Sequence, residues 1–195
     1  MLNKITYLFL IFIAFSCSSS YIGKISSNET INTENSLYVN YIPILSNSEK
    51  FQNVNISSIV LDSLKPILNK KNINEIVSLE EFSSRKKFNQ QLREDLSRIN
   101  KTKTLDSSPQ KNLNTILNQK DKRFAIILAS NPTLQNVKTS IKINDTIHNY
   151  VNINYNLVCL VYDRTKQEFV FYNQIPEKKS SSNTLGKNLL ELLDF

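Results

Sequence analysis

The residues Arg123–Ser130, RFAIILAS, set an unbroken apolar run from Phe124 to Ala129 between the bases Lys120, Lys122 and Arg123 and the breaker pair Asn131-Pro132. A run this short, with no polar alternate positions, predicts a strand buried on both faces and ending at Asn131-Pro132. Such a strand cannot face water, so it demands a sheet with helices packed on it. The segments on either side supply both.

Leu37–Leu45, LYVNYIPIL, reads as the first strand, with Pro43 at its end or on a sheet edge because proline has no N–H to give a ladder. Ile56, Ile59, Val60, Leu64, Ile67 and Leu68 then recur at three and four, the mark of one helical face, and Pro66 is expected to kink or end that helix. INEIV (73–77) is a short strand candidate. Ser78 and Glu81 match a capping box ahead of a long helix to about Asn100, with Phe82, Phe88, Leu92, Leu96 and Ile99 on its apolar side. Pro109 suits the first turn of a further helix, striped by Leu113, Ile116 and Leu117 and reaching about Gln119.

After the apolar run, Val137, Thr139, Ile141 and Ile143 alternate, and Asn144-Asp145 reads as a turn. The alternation from Ile147 to Val161 is long enough that a bend or bulge is expected to divide it. LVCLVYD and EFVFYN, joined by RTKQ, form a hairpin, and Thr184 is expected to cap a short final helix carrying Leu185, Leu189, Leu190, Leu192 and Leu193. The fold class is therefore α/β or α+β: a mixed sheet of about five strands with helices packed on it, ending in a β-hairpin and a short C-terminal helix.

The N-terminus carries an address. Lys4 precedes a nearly unbroken apolar run, Ile5–Phe15, followed by Ser16 and Cys17: the layout of a secretory signal. Its apolar core of about eleven residues is short of the ~20 needed to span a bilayer. The segment IAFSC resembles a bacterial lipoprotein signal, with Ala14 and Ser16 at the small positions. That resemblance implies cleavage between Ser16 and Cys17 and acylation of Cys17, whose chains would hold the protein to a membrane at ~0.8 kcal/mol per buried methylene. Ser18 in place of Asp implies the outer membrane, and SSSYIGK, with no acidic residue, implies its periplasmic face. Ordinary secretion with Cys17 unmodified is the alternative. The expected organisation is a signal peptide over 1–16, a lipidated flexible tether over the polar stretch 17–36, and a single domain over 37–195.

From Leu37 onward the outline is similar to the periplasmic domains of curli-assembly lipoproteins and the TolB amino-terminal domain. Those begin with a strand and a helix and finish with a hairpin that has an Asp at its turn, the place Asp163 takes here. The resemblance implies a fold and no activity.

No catalytic residue, cofactor or metal ligand is expected. Two glycines, Gly23 and Gly186, are too few for a loop that cradles phosphate. His148 is the lone histidine; its place in an alternating run makes it a solvent- or sheet-facing side chain rather than the base of a Ser-His-Asp site, and with Cys159 it cannot fill a zinc site without recruiting scattered carboxylates. Cys159 reads as a buried thiol, although with Cys17 unmodified a Cys17–Cys159 bridge becomes possible. The acidic pairs Glu80-Glu81, Glu94-Asp95 and Glu191 with Asp194 lie on helices among bases, as solvated faces do.

Removing residues 1–16 takes Lys4 with it and lowers the formal charge from +7 to +6. The basic clusters at Lys70-Lys71, Arg85–Lys87, Lys101–Lys103, Lys120–Arg123 and Lys178-Lys179 could bind anionic envelope polymers or lipid head groups, but each is short and diluted by acids, as ordinary solubility requires, and nucleic acid is a poor partner for an exported chain. Tyr150, Tyr155, Tyr162, Phe169, Phe171 and Tyr172 crowd the late strands, for the core or for a protein-binding face.

The function that fits is a non-enzymatic protein tethered to the membrane by its lipid, binding another envelope protein or polymer. The alternatives are an envelope hydrolase acting on cell-wall or glycan substrates, and a structural subunit of a secretion or assembly complex. The oligomeric state is left open.

Overall fold

The computed structural model describes residues 24–43, 56–79, 82–105, 107–143, 146–174 and 182–195, with the backbone alone at 56–59, 82–84, 131–143, 146–155 and 182–184. Six strands form one sheet: β1 (Ile25–Ser26), β2 (Ser36–Val39), β3 (Glu75–Val77), β4 (Phe124–Ile143), β5 (Thr146–Asp163) and β6 (Glu168–Gln174). Among the described residues four α-helices accompany them, α1 (Ile56–Lys70), α2 (Phe82–Thr102), α3 (Lys111–Lys120) and α4 (Ser182–Leu192), with a 3-10 turn at Thr33–Asn35. The strand order is β1-β6-β5-β4-β2-β3. β2 runs parallel to both β3 and β4, whereas β4–β5, β5–β6 and β1–β6 are antiparallel, so the sheet is mixed and the fold is α+β.

β4 explains the layering. Phe124, Ile126 and Leu128 point into one core with Leu64 and Leu68 of α1 and Leu189 and Leu192 of α4. Ala125, Ile127 and Ala129 point into the other, with Phe88, Leu92 and Ile99 of α2 and Leu113 and Leu117 of α3. All six are essentially water-free, so the sheet is covered on both sides, at about 25 cal/mol for each Å² of apolar surface removed from water.

Several expectations are corrected. The stretch 24–36, expected as part of the tether, belongs to the fold: β1 adds the sixth strand by pairing Ile25 with Tyr172 and Ser26 with Phe171. Pro66 neither ends nor bounds α1, which continues to Lys70 because Ile67 and Leu68 are buried in the core beyond it. Pro109 falls before α3, whose N-cap is Gln110. Asn131-Pro132 does not end β4, since both residues pair with β5, at Asn156 and Tyr155.

β5 itself is continuous, and the irregularities lie opposite it. Between Gln135 and Thr139, β4 uses two more residues than β5, and on β6 Val170 is extra between Phe169 and Phe171. That bulge turns Val170 and Phe171 to the same core while Phe169 and Tyr172 face the other. α4 begins at Ser182, two residues before the expected cap Thr184, and Leu190 is exposed rather than part of the buried stripe. Glu81 of the expected capping box, Asn144-Asp145 and the Glu80-Glu81 pair lie outside the described residues.

With so few glycines, left-handed backbone falls on other residues. Asn72 and Asp121 follow α1 and α3 at φ of 59° and 50°, and Gln167 holds φ 58° in the β5–β6 turn. Asn and Asp tolerate that region better than most side chains.

One carboxylate is wholly buried in the second core. Asp95 on α2 accepts from the Ser108 amide (3.1 Å) and from the Gln110 side-chain amide, with Arg98 Nη2 at 3.5 Å. Gln110 N in turn donates to the Tyr162 hydroxyl (3.1 Å), so the connection between α2 and α3 is tied to β5. Burial pushes the Asp95 carboxyl above its ordinary range, against the lowering pull of those donors and Arg98. The folded chain thus binds this proton more readily than the unfolded chain, whose value is about 3.9, and Asp95 favours folding more as pH falls through its raised value towards 4. Asp95→Asn should remove that gain: urea midpoints of the two proteins should diverge between pH 7 and about 4.5, with the native chain rising relative to the variant. Parallel midpoints would contradict the assignment.

Candidate functional site

β4 and β5 form a hairpin far longer than the sheet that carries it. β2 covers only Phe124–Ile127 of β4, and β6 covers only Val158–Asp163 of β5. Ser130 N still reaches the Pro43 carbonyl (2.9 Å). From Asn131 and Asn156 outward, the strands pair only with each other among the described residues, through to Ile143 opposite Thr146. At ~3.3 Å per residue, that is a two-stranded ribbon of roughly 40 Å.

The base of the hairpin is clamped by charge. Arg123, just before β4, donates from Nε to both Asp163 oxygens (3.1 Å each) and from Nη2 to Oδ2 (2.6 Å). The same Nη2 reaches Glu29 Oε2 (3.0 Å), and Lys166 Nζ sits 2.6 Å from Glu29 Oε1. Asp163 Oδ1 also accepts from the Thr165 amide (2.8 Å) and so holds the turn into β6. Burial pushes the Asp163 carboxyl up, but Arg123 and the Thr165 amide more than offset this, and it sits below the ordinary carboxylate range. Hydrogen bonding from Lys166 likewise lowers Glu29, against a smaller opposing effect of burial. All four side chains answer one another, so the cluster is structural.

The residues singled out by sequence are scattered. Cys17 and Ser16 lie outside the described residues. Cys159 is a free, fully buried thiol on β5, pushed far up by desolvation and so unreactive at neutral pH. His148 stands opposite Ile141 in the ribbon, remote in register from Cys159 opposite Leu128. Of the acidic pairs, Asp95 is buried while Glu94, Glu191 and Asp194 are exposed. Tyr162, Phe169, Phe171 and Tyr172 are core; Tyr150 and Tyr155 are described by backbone alone.

Among the described residues, no group of three His, Cys, Asp or Glu could hold a metal ion, and no helix is long and apolar enough to cross a membrane. Asp163 stands out in the sequence, but its partner Arg123, 40 residues away, does not, nor does Glu29, which shares that guanidinium from 94 residues away. The run of β-formers on both sides of Asn144 was the available signal for the ribbon.

No protein-family model and no curated protein matches this chain. Among solved structures it is similar to the PelC dodecamer from Paraburkholderia phytofirmans and to a methionine variant of that protein. Each likeness has a TM-score of 0.41 and 9% identity, covering 87% of this chain and 92% and 93% of those chains. A likeness this remote decides neither fold nor function.

The clamp generates a stability expectation. Arg123→Ala leaves Asp163 buried without its cation and should cost on the order of 3 kcal/mol in denaturant unfolding at pH 7. Because the Asp163 value is lowered by folding, its contribution is complete above about 3.9 and is lost as pH falls through the lower folded value. The gap between native chain and variant should therefore shrink below pH 4.

Proposed function

We propose that this chain is a non-enzymatic, lipid-anchored subunit of an envelope assembly, held by acylated Cys17 on the periplasmic face of the outer membrane and joined to its partners through the β4–β5 ribbon. The ribbon is the observation that carries this reading. A two-stranded hairpin is at best marginally stable alone in water, and its outer edges offer rows of N–H and C=O groups to another strand. Residues 131–156 hold only three charged side chains, Lys138, Lys142 and Asp145, so the segment lacks the dense charge that usually protects a free edge. Strand addition from a neighbouring subunit would satisfy those groups. The periplasmic-domain outline and the lipobox-like IAFSC support the address. A hydrolase is less well supported, because the buried carboxylates Asp95 and Asp163 are engaged in holding the fold together.

Two measurements test the two halves. Intact mass of the protein taken from its native envelope should show a chain starting at Cys17 and carrying acyl chains, absent from Cys17→Ala. An unmodified chain would remove the anchor. Separately, native mass and crosslinking in mild detergent should show a stable assembly that is lost when a two-residue turn joins Ser130 directly to Leu157, with the melting temperature of the domain retained. A native chain that runs as an uncrosslinked monomer, or a shortened chain that assembles equally well, would overturn the ribbon's role.

A further inference from the structure

The segment Lys24–Glu29 is bound to the domain at several points. β1 pairs with β6, and Ser27 N continues the ladder to the Val170 carbonyl (2.9 Å). Lys24 Nζ lies 3.4 Å from Asp194 Oδ2 and 5.6 Å from the centre of the Phe171 ring. Phe195 packs edge-on against Phe171 at 5.3 Å and carries Lys71 Nζ over its own ring. At the far end, Glu29 is gripped by both Arg123 and Lys166. A segment composed like a linker is therefore fastened along the β6 edge, from the C-terminus to the hairpin base.

We propose that Lys24–Glu29 is a clasp that ties the anchored N-terminus to the β1–β6 edge and holds that edge against the lipid head groups. The membrane half of this proposal rests on acylation of Cys17. The argument is one of reach. Lys24 is seven residues from Cys17, so a fully extended link allows at most about 25 Å between lipid and domain. If the clasp opened, the first held residue would be Ile31, packed against the core and fourteen residues from Cys17, and the limit would rise to about 50 Å. The clasp thus selects which side of the domain meets the membrane and how far the ribbon can stand from it. Its ionic end is solvent-accessible, so salt loosens it.

The test uses the full mature chain in two readouts. Hydrogen exchange on unacylated Cys17→Ala should show the amides of residues 25–29 at least tenfold slower than an unstructured peptide. Ser27→Pro, which removes the amide that pairs with Val170, and Glu29→Ala should each erase that protection while Phe124–Ala129 remain protected. For the second readout, the acylated chain carries a donor dye at Lys187→Cys, Cys159 being too buried to label, in phosphatidylethanolamine–phosphatidylglycerol vesicles with a head-group acceptor. Transfer should fall severalfold on Ser27→Pro. Unprotected 25–29 in the chain with an intact clasp, or transfer indifferent to Ser27→Pro, would overturn the clasp. Protected 25–29 with no vesicle binding would instead remove the anchor, and with it the membrane half alone.

Discussion

The structure depends on removing both faces of β4 from water. Phe124 to Ala129 carry no polar side chain, so neither side of that strand can be left to solvent. Every larger choice answers this constraint: α1 and α4 cover one face, α2 and α3 the other, and β2 and β5 close the flanks. The backbone of such a strand must also be paired, which β5 supplies along the whole apolar run and β2 as far as Ile127. Beyond Ser130 the apolar run stops and the neighbours stop with it. Only the mutual pairing of β4 and β5 continues.

Charge is used where that core meets its ends. Arg123 and Asp163 stand at the foot of the two central strands, and Asp163 is fully buried while its guanidinium partner is partly wet. A lone carboxylate there would be expensive, and a bidentate Arg contact is the geometry that makes it tolerable. Through the same Nη2 that donates to Asp163, Glu29 brings the N-terminal segment to the hairpin base. The ion cluster is therefore also what converts a polar leader into part of the fold.

These features give the molecule two unlike ends. One edge gathers β1, β6, Lys24 and Asp194. The ribbon extends beyond the sheet with little charge and no neighbouring strand among the described residues. An anchored subunit that must reach a partner has use for both, which is why the proposed function and the proposed clasp are two statements about one arrangement.

Periodicity determined a good deal of this unaided. The strand at 124–129, the β5–β6 hairpin, the apolar faces of α1, α2 and α3, and the inert Cys159 were legible because each depends on local spacing and hydropathy. What escaped was decided by contacts distant in the chain. Pro66 sits within a helix because Ile67 and Leu68 have a core to enter, and Asn131-Pro132 continue a strand because β5 pairs with them. Polar residues 24–36 fold because Glu29 finds Arg123 and Lys166, partners that no local pattern announces. Local sequence specifies which face of an element avoids water. Only the tertiary structure decides which distant charge or strand edge lies close enough to overrule a breaker or capture a linker.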